Sequence, residues 1–168
     1  LDVQSISQLQ SLAGGNPFFL IELTLEFLAG RLGSIATSPD LVPIPLSIRQ
    51  VLDRRLSELS SEADGVLGAM AVNSRPLGLQ ALEAITGLEG ADCLGGLDQL
   101  SQFRLITSHG GADVKITHEL VRQTVYQSLS PTRRSWLHER VGRHLLETKE
   151  HAPADELADD LTVADARD

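Results

Sequence analysis

Apolar residues return every three or four positions along nearly the whole chain, and one short stretch breaks that period. The runs are Leu46, Ile48, Val51, Leu52, Leu56 and Leu59; Ala63, Val66, Leu67, Met70 and Ala71; Leu79, Leu82 and Ile85; and Leu94, Leu97 and Leu100. Such spacing gathers apolar side chains on one side of an α-helix, so each run predicts a helix with a buried face. The exception is Leu105-Ile106-Thr107 with Val114-Lys115-Ile116-Thr117, two β-branched pieces separated by His109-Gly110-Gly111-Ala112-Asp113. Pieces of that kind around a Gly-Gly pair read as a hairpin. Three helices followed by a hairpin is the element order of a winged helix-turn-helix. The expected fold class is mainly α: a winged helix-turn-helix with a small β-hairpin wing, flanked by helical segments.

Punctuation residues divide the rest. Residues 4–13 carry Ile6, Leu9, Leu12 and Ala13 at helical spacing, and Gly14-Gly15 ends that helix. Asn16-Pro17 opens the next, since Asn caps helices well and Pro at the first position lacks an N–H that would be unpaired anyway. The helix from Phe18 to Leu28 is apolar on nearly every side, with Glu22 and Glu26 marking its wet stripe. A helix of that kind needs neighbours on most faces, which also points to self-association through it. Residues 30–45 hold three prolines and two glycines and read as a linker. Ser60 and Ser61 offer caps for the helix that follows, and Gly87 ends the one after. A helix from His118 to Leu129 follows the hairpin. Ser130-Pro131 opens another with Trp136, Leu137, Val141, Leu145 and Leu146, and the tail from His151 is acidic.

Charge and composition exclude several functions. A formal net charge of −9 and a pI of about 4.9 disfavour a generic polyanion binder, whose affinity rests on Lys and Arg neutralising phosphates. The recognition-helix candidate, Ala91 to Arg104, has one basic residue at its end against Asp92 and Asp98. Direct DNA contact is thus disfavoured, though it stays as the alternative function. A lone cysteine, Cys93, forms no internal disulfide and suits a reducing, cytoplasmic compartment. No run approaches the roughly 20 apolar residues of a membrane span. The first residues, Leu1-Asp2-Val3-Gln4, show neither initiator Met nor signal pattern, as expected of a piece of a longer polypeptide. The lysines, Lys115 and Lys149, do not follow glycine, so the phosphate cradle of a nucleotide hydrolase is absent. No G-x-S-x-G elbow occurs, and the five histidines with Cys93 lack metal-site spacing. No catalytic site and no metal site are expected in the chain itself.

Two motifs carry a family signal. One is Gly14-Gly15-Asn16-Pro17-Phe18-Phe19-Leu20-Ile21-Glu22-Leu23. The other runs from Ile44-Pro45-Leu46-Ser47-Ile48-Arg49 through Arg54-Arg55-Leu56-Ser57-Glu58-Leu59-Ser60 to Ile116-Thr117-His118-Glu119-Leu120-Val121-Arg122-Gln123-Thr124-Val125-Tyr126, then Arg133 and Leu137-His138-Glu139-Arg140. Their order and spacing resemble the signal-transduction ATPases with numerous domains, closest to the large ATP-binding transcriptional regulators of the LuxR type (the MalT-like family). The resemblance implies the end of a small helical domain at 1–29, a linker at 30–45, a winged helix at 46–129 and the start of helical repeats at 130–168. It implies a non-catalytic, signal-transmitting segment whose partners are an upstream P-loop ATPase domain and downstream helical repeats of the same polypeptide. ADP or ATP with Mg belongs to that parent, and no cofactor to this segment alone.

By the same resemblance Gly15, Asn16 and Pro17 pack against adenine, and His118 reaches the β-phosphate of ADP to hold a closed state. The chain has Thr117-His118-Glu119 where related eukaryotic members have Met-His-Asp. Thr117 as N-cap would put His118 in the first helical turn, where free N–H groups and the dipole favour an anion. The plainer readings are a histidine satisfying a carbonyl at the wing–helix junction and an Asn-Pro pair that only starts a helix. A protein-interaction scaffold built from Ser130 onward is a further alternative.

Overall fold

The computed structural model describes residues 3–30, 32 and 44–151. Most of the expected linker, and the acidic tail beyond 151, lie outside the described residues.

Three helices, Pro17–Leu28, Ser61–Val72 and Pro131–His151, start where a side chain accepts from their unpaired first amides. Asn16 Oδ1 accepts from the amides of Phe18 and Phe19, at 3.0 and 3.4 Å. Ser60 Oγ accepts from Ala63 at 3.2 Å, and Ser130 Oγ from Arg133 at 3.2 Å. The elements are α1 (Val3–Ala13), α2 (Pro17–Leu28), α3 (Leu46–Leu56), α4 (Ser61–Val72), α5 (Leu79–Thr86), α6 (Gly90–Gln102), β1 (Ile106–His109), β2 (Asp113–Ile116), α7 (Glu119–Ser128) and α8 (Pro131–His151). The described chain is thus mainly helical with one two-stranded antiparallel sheet, in register Ile106 to Ile116 and His109 to Asp113.

The core forms around α4, whose Ala63, Val66, Leu67, Gly68, Ala69, Met70 and Ala71 are all buried. It packs against α5, α6, α7 and α8. Small residues let α6 come close: a Cβ on Gly96 would lie 3.1–3.2 Å from the backbone of Glu62 and Ala63. Arg133 reaches Asp64 at 2.6 Å, and Arg140 donates to the carbonyls of Ala84 and Ile85, so α8 is tied to α4 and to the end of α5. On the other side α1 lies against α7, and α2 against α3. Buried residues of all eight helices, from Leu9 to Val141, belong to one continuous cluster.

Three local expectations are corrected. Leu94 is 49% exposed, and α6 instead buries Cys93, Gly96 and Leu100. The three-residue period drifts about 60° per repeat around a helix, so leucines three apart cannot all stay on one face. Glu22 is not on a wet stripe but half-buried, accepting a short hydrogen bond from Ser47 Oγ. The solvent side of α2 is apolar, with Ile21, Leu25 and Leu28 each more than half exposed. Thr117 does not cap α7. Its amide donates to Leu105 and its hydroxyl to Arg104, closing the base of the hairpin.

Candidate functional site

The turn between α1 and α2 needs two left-handed residues, Gly14 at φ +55 and Gly15 at φ +80. Glycine takes both without a steric cost. The amide of Asn16 returns to the Ala13 carbonyl at 2.9 Å, so the turn is tight and Phe19 enters the core. Gly15 and Pro17 are left exposed, with Asn16 half-buried between them.

His118 takes the N-cap position of α7 in extended conformation (φ −134, ψ 138). Its carbonyl accepts from Val121 at 3.0 Å and Arg122 at 3.2 Å, which leaves the amides of Glu119 and Leu120 without a partner inside the helix. Its ring lies edge-on against Phe19, with centroids 5.6 Å apart at 80°. Nδ1 faces the first turn so closely that a Cβ on Gly14 would stand 2.7 Å from it. The fold therefore brings together the α1–α2 turn and His118, more than 100 residues apart in sequence. The atom Nδ1 is buried and faces the Gly14 main chain, without a well-formed hydrogen bond among the described residues.

A cavity of about 220 Å³ opens beside the ring, lined among others by Asn73, Arg75, Lys115, Thr117 and Arg122. Arg122 is engaged: it forks onto the Glu119 carboxylate, at 2.7 Å for the shortest contact, and donates to the Ala71 carbonyl at 3.1 Å. Arg75 and Lys115 are exposed, leaving their cations available at the rim. This concentrates positive charge at a helix N-terminus, an arrangement that favours an anion. Sequence reading did not single out Gly14, Phe19, Arg75 or Lys115 as site residues. Gly14 and Phe19 entered only as motif and helix positions, and Arg75 and Lys115 lie on separate elements that no spacing rule joins.

Burial pushes the His118 pKa below its ordinary 6.5, and the Gly14 main chain, which favours the charged ring, offsets this only in part. The folded state thus binds this proton less readily than the unfolded chain. The contribution to stability is complete above pH 6.5 and declines as pH falls from there through the lower folded pKa. His118→Asn is expected to flatten that slope in urea titrations repeated between about pH 7 and 5. An identical pH dependence in the two proteins would contradict it.

Among the described residues no cluster of His, Cys, Asp or Glu could hold a metal ion, and no helix is long and apolar enough to cross a membrane. Neither the known protein-family models nor the curated proteins contain a match to this chain.

Proposed function

We propose that the chain is a non-catalytic, nucleotide-sensing segment of a multidomain, ATP-binding transcriptional regulator, working in the cytoplasm beside a P-loop core. The supporting observation is the juxtaposition of the glycine turn with His118, next to a cavity rimmed by Arg75 and Lys115. The donors suit the ligand: Gly15, Asn16 and Pro17 form an exposed turn for an adenine face, and His118, Arg75 and Lys115 offer hydrogen bonds and charge to a phosphate. ADP or ATP with Mg would be held mainly by the core, whose phosphate-cradle motif is not in this sequence.

We read residues 46–129 as a winged helix. In support, Leu77, between α4 and α5, exchanges both backbone hydrogen bonds with Val114, at 3.0 and 2.9 Å. A strand position before two helices thereby joins the hairpin that follows them. The outward side of α6 carries Asp92 and Asp98, which gives base reading no support. The apolar stripe on α2 is the face for a neighbouring domain, or for a second copy when that domain is missing. From Ser130 onward the chain begins the helical repeats.

A ligand shifts a two-state element only by its different affinity for the states. Contacts at Pro17 and His118 made in one arrangement alone would supply that difference. In the parent polypeptide His118→Ala is expected to weaken ADP about tenfold while changing ATP affinity little. The chain alone should give no micromolar ADP isotherm in calorimetry. Unchanged ADP affinity in the variant, or micromolar binding by the chain alone, would remove this reading.

A further inference from the structure

A hollow of about 560 Å³ lies between the C-terminal ends of α3 and α6 and shares no lining residue with the cavity beside His118. Three arginines line it, Arg54 and Arg55 in the last turn of α3 and Arg104 just beyond α6. All three side chains are exposed, and none has a hydrogen bond or ion pair to a described residue. Glu58 is the one carboxylate in the lining, and Val51 and Phe103 supply apolar surface. The walls are fixed: Gln99 on α6 accepts from the Ser60 amide at 2.9 Å and donates to the Glu58 carbonyl at 3.4 Å.

Arg104 occupies an unusual position. The amide of Arg104 bonds to Ser101 and that of Leu105 to Leu100, each at 2.9 Å, the paired pattern that closes a helix through a left-handed residue. Glycine is the usual occupant of such a position, yet here an arginine sits at φ +55, the only non-glycine with positive φ among the described residues. Backbone strain of this kind concentrates at functional positions. In a chain of net charge −9, three arginines in one groove, with no ion pair among the described residues, set a strong local contrast.

We propose that this groove binds an acidic polypeptide segment with an apolar side chain between its carboxylates. Guanidinium forks match carboxylates in geometry as well as charge. Val51, 43% exposed, and Phe103 would receive the apolar side chain. A long nucleic acid would meet the repulsion of the surrounding acidic surface, whereas a short peptide meets the groove alone.

The test is fluorescence anisotropy of a fluorescein-labelled peptide of repeated Glu-Glu-Leu, titrated with the intact chain at low salt. Saturable binding near the micromolar range is expected, weakened about tenfold when Arg54→Ala and Arg55→Ala are combined. Arg104→Gly should weaken binding about threefold yet melt at the same or a higher temperature, because glycine relieves the left-handed residue. That variant keeps the test decisive should the double variant unfold. Arg143→Ala, in α8 outside the groove, should bind like the unaltered chain. Four results would overturn the proposal: no saturable binding, equal binding of a Gln-Gln-Leu peptide, an equal loss in Arg143→Ala, or displacement of the peptide by an oligonucleotide of the same charge at lower concentration.

Discussion

Leu120→Ala is expected to lower the free energy of unfolding by about 2–5 kcal/mol, whereas Leu94→Ala should change it by less than about 0.5 kcal/mol. Both residues are leucines in helices. Leu120 is fully buried in α7, where that helix packs against α1, α4 and β2. Truncation removes its transfer free energy and leaves a cavity that surrounding backbone elements cannot fill. Leu94 faces solvent on α6 and loses little when shortened. Urea unfolding of the two variants checks this, provided the slope against denaturant stays that of the parent. Equal losses would mean that the packing of α7 or of α6 differs from the one described.

That pair also shows where sequence reading succeeds and where it stops. The starts of α2, α4 and α8 were legible at Asn16-Pro17, Ser60 and Ser130-Pro131 because a cap acts on amides two or three residues away. The end of α5 at Gly87 and the hairpin at Gly110-Gly111 were legible for a like reason: each needs positive φ, and glycine supplies it locally. What failed depended on distant partners. Which face of α6 is buried is decided by the approach of Gly96 to α4, not by the spacing of Leu94, Leu97 and Leu100. Thr117 has the chemistry of a cap, but the hairpin base claims its hydroxyl and amide, so the cap position passes to His118. Arg104 could not have been foreseen, since left-handed closure of α6 by arginine runs against local preference.

The candidate site was legible in its parts rather than its assembly. Gly15, Asn16, Pro17 and His118 were singled out by resemblance, and no periodicity argument joins them. The turn that holds the first three meets His118 through Gly14 and through Phe19, which enters the core in the first turn of α2 and carries the His118 ring on its edge. The same packing buries Nδ1 and lowers the ring's pKa, so the geometry that creates the site also favours the neutral imidazole.

Gly14→Ala probes that assembly most directly and is expected to cost about 2–3 kcal/mol. The left-handed backbone at φ +55 accounts for roughly 1–2 kcal/mol in any residue with a Cβ. The new methyl carbon would stand 2.7 Å from Nδ1 of His118, too close for either group to stay in place. Loss of glycine's freedom in the unfolded chain offsets part of this, about 0.5–1 kcal/mol. Gly15→Ala provides the comparison, because φ is +80 there but nothing lies within 4 Å of the added carbon. It should carry the backbone cost alone, about 1 kcal/mol. The excess at Gly14 measures contact with the imidazole, and a double-mutant cycle isolates it. In a His118→Ala background the two glycine substitutions should cost the same, since the ring that Gly14→Ala displaces is gone. If they already cost the same with His118 present, the turn and the histidine do not touch, and the two halves of the proposed nucleotide contact lose their structural link.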